Sequence, residues 1–197
     1  MPVIKAIIFD CFGVLAEDGW LPIKRKYIGN NSKLAQEVAD LGMQNEYGMI
    51  DNETHLHKMA EIMSIDTEEL RTALGKRVPN LELLEYIEAV LKPHYKIGLL
   101  SNANFNVLTD LFTKEQASIF DASVMSYESR LIKPDKRMFE LTASRLEVEL
   151  NECVFIDDVE RYSFAAESYG MDAVLYQNPH QCMDEITKLT SKRKNTK

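Results

Sequence analysis

Short apolar runs alternate with amphipathic stretches along most of this chain. The run from Val3 to Phe9 is nearly all apolar, which predicts a strand buried on both faces of a parallel sheet. Tyr95 to Leu100, Ala122 to Met125, Cys153 to Ile156 and Ala173 to Tyr176 repeat that character. Between them the spacing predicts helices over Leu81 to Leu91, Phe105 to Phe112, Lys136 to Arg145 and Ser163 to Tyr169. The last of these stops at Gly170, where a left-handed residue carries little strain. Strands alternating with helices of this length imply βαβ units and a parallel sheet covered by helices.

One block breaks the alternation. From about Ala16 to Pro79 the pattern is helical throughout, over Ser32 to Leu41, Asn52 to Met63 and Asp66 to Leu74. Asn52 and Asp66 suit helix caps, and Gly48 and Gly75 suit helix breaks. Because sheet segments flank the block on both sides, residues 16–79 are expected to form a small helical cap. The cap is inserted into an α/β core made of residues 1–15 and 80–197.

With 197 residues and 45% hydrophobic content, the chain can bury one sizeable core and a small second module. A net charge of −8 argues against nucleic acid as a partner, since phosphate contacts need clustered Lys and Arg. No apolar run approaches the roughly 20 residues that cross a membrane, so no membrane partner is expected. The first residues run directly into a strand-like segment, so no secretory leader is expected. Cys11, Cys153 and Cys182 are widely spaced and odd in number, and are read as small buried thiols of a reduced, cytoplasmic protein. The basic end, with Lys192, Arg193, Lys194 and Lys197, is read as a solvated, frayed terminus rather than a nucleic-acid arm.

In open α/β sheets ligands bind beyond the carboxyl ends of the strands, and four polar clusters fall there. They are Asp10 after the first strand, Ser101-Asn102 after the second, Lys133 in a loop before a helix, and Asp157-Asp158 after a late strand. Acids gathered along one sheet edge repel each other unless something positive lies between them. A divalent metal and an anionic substrate therefore lead the functional reading.

In sequence these clusters read Phe9-Asp10-Cys11-Phe12-Gly13-Val14-Leu15, Leu99-Leu100-Ser101-Asn102, Ile132-Lys133-Pro134-Asp135 and Phe155-Ile156-Asp157-Asp158. Taken in that order the chain resembles the haloacid dehalogenase-like hydrolase superfamily, over almost the whole sheet domain and with its cap in the family's place. The resemblance implies a three-layer, Rossmann-like parallel-sheet core with an inserted α-helical cap. It also implies a Mg²⁺-dependent phosphatase for a small phosphorylated metabolite such as a sugar phosphate. Asp10 would be the nucleophile that forms an aspartyl phosphate, a role open to a carboxylate. Asp10, Asp157, Asp158 and the backbone carbonyl of Phe12 would hold Mg²⁺, a hard cation that prefers oxygen. Ser101 would donate to a phosphoryl oxygen, Asn102 would contact the phosphate or leaving group, and Lys133 would neutralise charge on both nucleophile and phosphate.

Phosphatases of the superfamily usually carry a second Asp two positions after the nucleophile, as general acid and base. This chain has Phe12 there, which cannot transfer a proton and puts a contribution of roughly 10²–10⁴-fold in question. Phe12-Gly13 resembles instead the metal-independent 2-haloacid dehalogenase branch, whose halide leaving group needs no proton. A catalytically weak phosphate-binding relative is a further alternative. Charge favours the metal-dependent reading. Asp10, Asp157 and Asp158 sum to −3 against +1 from Lys133, and a like-charge pair at ~4 Å is worth about 4 kcal/mol at an effective dielectric near 20. Without a cation, an anionic substrate would be repelled. In the cap, Trp20 is read as lining the cleft or packing the hinge, Lys24-Arg25-Lys26 as a solvated helix end, and His55 and His57 as too closely spaced to share a helix face. Oligomeric state is not visible in the sequence.

Overall fold

The apolar runs become five parallel strands: β1 (Ala6–Phe9), β2 (Lys96–Ser101), β3 (Ala122–Met125), β4 (Cys153–Asp157) and β5 (Asp172–Leu175). They form one sheet in the order β3-β2-β1-β4-β5. The structure, a computed structural model, describes residues 2–75 and 77–194. The chain builds outward from β1 to β2 and β3, then crosses back to place β4 on the other side of β1. The crevice that such a reversal opens lies beyond the carboxyl ends of β1 and β4, where Asp10 and Asp157 stand.

The pleat sorts side chains between two apolar layers. Ile7 and Phe9 of β1 and Val154 and Ile156 of β4 point to one face. There they pack with Leu83, Leu84 and Ile87 from the helical segment begun by α5 (Leu81–Tyr86), and with Cys182 and Ile186 of α11 (Pro179–Lys194). Ala6, Ile8, Cys153 and Phe155 point to the other face. It is covered by Met138 and Phe139 of α9 (Lys136–Arg145) and Ala166 of α10 (Glu160–Ser168). Full burial of each large aliphatic or aromatic side chain here contributes about 1.5–3 kcal/mol. The result is the helix-covered parallel sheet read from the pattern, in the three layers the resemblance implies.

Between β1 and α5 the chain forms α1 (Trp20–Tyr27), α2 (Ser32–Glu46), α3 (Asn52–Met63) and α4 (Thr67–Leu74), which share an apolar cluster of their own. Ile23, Val38, Leu41, Met59 and Leu70 lie at its centre. The two passages into and out of this helical segment run side by side. Ala16 bridges Pro79 in antiparallel fashion, and the Asn80 N–H donates to the Leu15 carbonyl at 2.8 Å.

Local chemistry shifts several boundaries. The first strand starts at Ala6 rather than Val3. The cap of α3 is Asp51, whose carboxylate accepts from the Thr54 N–H, and Asn52 is the first helical residue. Helix α2 runs five residues past Leu41, to Glu46. The stretch read as a helix from Phe105 to Phe112 holds only a single turn, α6 (Val107–Asp110), capped by Asn106. The helix from Leu81 widens into a π-helical turn over Ile87–Leu91.

The frayed-terminus reading is overturned for Arg193. Helix α11 carries it back to the sheet, where its guanidinium is buried, lies 2.5 Å from the Asp172 carboxylate and donates to the Pro2 and Asn151 carbonyls. Lys197 lies outside the described residues. The three cysteines are free, buried thiols, as expected of their packing.

Candidate active site

Asp10 stands one residue past β1, and its N–H continues the sheet ladder by donating to the Ile156 carbonyl at 2.9 Å. That fixes its carboxylate beside Asp157, the last residue of β4. Lys133 arrives from the loop before α9 and places its ammonium between the two. Its Nζ lies 2.7 Å from Asp10 Oδ1 and 2.6 Å from Asp157 Oδ2, and the side chain is almost completely buried. The rings of Phe155 and Tyr162 flank it, with centroids 5.5 and 4.9 Å from Nζ.

The electrostatics follow from burial. Desolvation pushes the Asp10 carboxyl up to about 7; Lys133 pulls against this shift and Asp157 adds to it. Desolvation works against the Lys133 charge, but the two carboxylates more than offset it and hold the ammonium protonated well above its ordinary range. Burial also pushes the Cys11 thiol up, which leaves it inert beside Asp10.

Asp157 Oδ1 accepts from the Val159 N–H at 2.8 Å. Asp158 is exposed, and its carboxylate lies close against Gly13. A Cβ at Gly13, whose φ is +91°, would stand 2.3 Å from Asp158 Oδ2, so this glycine makes room for the acid. Partial desolvation, then the charge of Asp157, raises the Asp158 carboxyl. One oxygen from each of Asp10, Asp157 and Asp158 lies within 4.8 Å of the other two. Opposed ligands of an octahedral Mg²⁺ at 2.0–2.1 Å are about 4 Å apart, so small side-chain shifts bring this donor set onto the ion. The donors are hard oxygens, and the fit is good.

The second motif divides its work. Ser101 is buried, and its Oγ has no hydrogen-bond partner. A buried hydroxyl without a partner is costly, by about 1–3 kcal/mol, and this one lines the cavity beside Asp10. Asn102 is engaged on both ends of its amide. Its Oδ1 accepts from the Lys133 N–H at 2.8 Å, and its Nδ2 donates to Glu46 Oε2 at 3.2 Å and to the Lys133 carbonyl at 3.4 Å. Phe12 is half-buried, with its ring against Phe105 at 6.1 Å and the Arg77 guanidinium 4.6 Å above its face.

A cavity of about 840 Å³ opens between the sheet edge and the helical segment. Asp10, Ser101, Asn102 and Lys133 line its sheet side, and Trp20, Glu46, His55 and Arg77 enter from the other. Trp20 lines the cleft as read, edge-on to His55 at 5.5 Å. His55 and His57 diverge: His57 is exposed and bonded to Thr67, while His55 is buried with its Nε2 unpartnered. Burial, then the charge of Lys24, pushes His55 down to about 4, so its ring is neutral at pH 7.

Glu46, Arg77, Asn45 and Asn104 escaped the sequence reading. Asn104 donates to Asn45 and Asn52, and with Asn102–Glu46 these contacts tie the helical segment to the loop after β2. Nothing local announces such pairs, because their partners lie more than 50 residues apart.

A model of the haloacid dehalogenase-like hydrolases matches residues 4–161. Among curated proteins, the chain is 26% identical to (S)-2-haloacid dehalogenase 1 of Pseudomonas sp. (strain CBS-3), over 88% of this chain and 85% of that one. It is 24% identical to Phosphatase MT3486 of Mycobacterium tuberculosis (strain CDC 1551 / Oshkosh), over 94% and 93%. Among solved structures it is similar to the HAD family enzyme bt-2542 of Bacteroides thetaiotaomicron in complex with magnesium and inorganic phosphate. That similarity has a TM-score of 0.66 and 23% identity, over 88% of this chain and 94% of that one.

Proposed function

The chain belongs to the haloacid dehalogenase-like hydrolase family, and from that premise we propose that it is a Mg²⁺-dependent phosphatase of a small phosphorylated metabolite, a sugar phosphate being one candidate. The observation that carries this reading is the cluster of Asp10, Asp157 and Asp158 around the single ammonium of Lys133. With all three carboxylates ionised its charge sums to −2, which favours a divalent cation beside an anionic substrate. The bt-2542 complex with magnesium and phosphate and the mycobacterial phosphatase support the same direction.

In this reading Asp10 attacks phosphorus and the bond to the leaving oxygen breaks, giving an aspartyl phosphate that water then hydrolyses. Lys133 neutralises the nucleophile before attack and the phosphoryl oxygens during it, and Ser101 Oγ supplies a donor to one of those oxygens. Asp10, Asp157, Asp158 and the Phe12 carbonyl would hold Mg²⁺, which when bound would supply charge stabilisation to the transferring group. Residues 1–15 and 80–197 form the catalytic core and 16–79 the cap that closes the cavity. The three free, buried thiols suit a reducing compartment, which supports a cytoplasmic placement. Among the described residues no helix is long and apolar enough to cross a membrane.

Phe12 and the similarity to a 2-haloacid dehalogenase favour a second reading, in which Asp10 attacks carbon and expels halide without metal. The test is p-nitrophenyl phosphate with Mg²⁺, with EDTA and with Asp10→Asn, beside 2-chloropropionate. Metal-dependent phosphate release that vanishes in the variant is expected. Halide release indifferent to EDTA would replace the phosphatase reading with the dehalogenase one.

A further inference from the structure

Phosphoryl transfer to Asp10 fixes where a proton is needed. Displacement at phosphorus is in line, so the leaving oxygen lies on the side of phosphorus opposite Asp10. The water that later frees Asp10 attacks from that same side. Asp10 stands at the sheet edge, so that side faces the helical segment. Phe12 offers no proton there, and an alkoxide leaving group needs one.

Three acids line the cavity from the helical segment: Asp18, Glu46 and Glu53. Glu53 is held in a two-pronged pair with Arg71, at 2.7 and 3.2 Å. Asp18 accepts the Trp20 N–H at 2.9 Å, just before α1. Glu46 is different. It ends α2 and reaches across the cavity to Asn102, the neighbour of Ser101 and the residue that orients the Lys133 main chain. One of its oxygens accepts from Asn102, which leaves the other for substrate.

We propose that Glu46 is the general acid and base of this reaction, the catalytic residue that stands in for the carboxylate lacking at Phe12. This rests on the phosphatase reading above. In the first half-reaction an Asp10 oxygen bonds to phosphorus, the phosphorus–oxygen bond to the leaving group breaks, and the Glu46 carboxyl gives its proton to that oxygen. In the second, Glu46 takes a proton from water as the water oxygen bonds to phosphorus and the bond to Asp10 breaks. The carboxyl is then protonated again, and the sum is ester plus water giving alcohol plus phosphate. Burial raises the Glu46 pKa against the charges of Lys133, Lys24 and Arg161 and the hydrogen bond from Asn102, the direction that suits a proton donor. A bound phosphoryl dianion would raise it further.

The test compares the unmodified protein with Glu46→Gln and Asp18→Asn, all with Mg²⁺, on p-nitrophenyl phosphate and on glycerol 3-phosphate. Glutamine keeps the acceptor for Asn102 and the shape of the side chain but carries no transferable proton. Nitrophenolate leaves without help, so Glu46→Gln should release a stoichiometric burst of it, then turn over roughly 10²–10⁴-fold more slowly. On glycerol 3-phosphate the same variant should lose even its first turnover, while Asp18→Asn keeps both activities. Steady glycerol 3-phosphate turnover by Glu46→Gln within a few-fold of the unmodified protein would overturn the proposal. So would loss of the nitrophenolate burst, which would make Glu46 a positioning residue for Asn102 and Lys133. The burst-and-block pattern in Asp18→Asn instead would assign the role to Asp18. Failure of the unmodified protein to release phosphate from either ester would remove the phosphatase reading itself, and the proposal with it.

Discussion

Replacing Lys133 by methionine isolates the ammonium that holds the acid cluster together. Its Nζ contacts Asp10 at 2.7 Å and Asp157 at 2.6 Å, and both carboxylates are buried. Taking ~4 Å as the charge separation and an effective dielectric near 20, each pairing is worth about 4 kcal/mol. Part of that sum is offset because the variant no longer buries an ammonium. Breaking a buried pair by removing one partner destabilises proteins by about 3–5 kcal/mol, and Lys133→Met is expected in that range near pH 8 in EDTA. The pKa of Lys133 is held above its ordinary value, so its contribution is complete at every pH below about 10.4 and does not change between pH 5 and 8. Any pH dependence of the loss therefore comes from the carboxylates. Asp10 has a folded pKa above its unfolded one, and removing the ammonium raises it further. Over the window from about 4 up to that folded value, the native state of the variant binds more protons than the unfolded state, so its stability rises as pH falls. Urea unfolding at both pH values, with a shared slope, measures the two losses. A penalty below about 1 kcal/mol near pH 8, or one that is the same near pH 5, would refute the reasoning.

Three further outcomes are expected. If Asp10 is a Mg²⁺ ligand, binding displaces its proton, and the apparent affinity should fall about tenfold per pH unit below 7. The rise in unfolding temperature at fixed Mg²⁺ should then be larger near pH 8 than near pH 6, and equal shifts would count against Asp10 as a ligand. Gly13→Ala sets a Cβ against Asp158 at a φ of +91°, and should cost about 1–3 kcal/mol while raising the Mg²⁺ needed for half-maximal activity roughly tenfold. Unchanged Mg²⁺ dependence would separate Asp158 from the metal. Arg193→Met leaves Asp172 and two carbonyls without their donor, and should lower stability by about 2–3 kcal/mol in urea without altering turnover of the folded enzyme.

What could be read from the chain was set by how far each signal reaches. The strands of the sheet were legible because burial on both faces leaves an unbroken apolar run, as in Ile7-Ile8-Phe9 and Val154-Phe155-Ile156. Asp10, Ser101, Asp157 and Asp158 were legible because each stands at or just past the end of such a run, and the sheet brings those ends together whatever else the chain does. Lys133 had no strand to mark it and was found only through the order of the motifs. Boundaries failed where capping decided them. Asp51 displaced Asn52 as a cap because its carboxylate meets both the N–H and the hydroxyl of Thr54. Arg193 was misread because a basic tail looks solvated until α11 carries it back to Asp172, across more than 20 residues.

Glu46 marks the limit most sharply. The apolar spacing of α2 runs through Val38 to Leu41, where the predicted helix ends, and the next inward position is the polar Asn45. Asn45 is nonetheless buried, because Asn104 and the Ile50 carbonyl satisfy its amide, and the helix continues one more residue. That extra residue is what sets Glu46 over Asn102. A polar core position thus lengthens the helix and delivers an acid to the cavity, and both effects depend on a loop that follows β2 some 56 residues later. If Asn104 fixes the end of α2, then Asn104→Ala should weaken the hold on Glu46 and give a milder form of the Glu46→Gln behaviour. The nitrophenolate burst would survive and glycerol 3-phosphate turnover would fall, with no change in Mg²⁺ dependence. An equal fall on both substrates would mean that the loop acts on Ser101 instead.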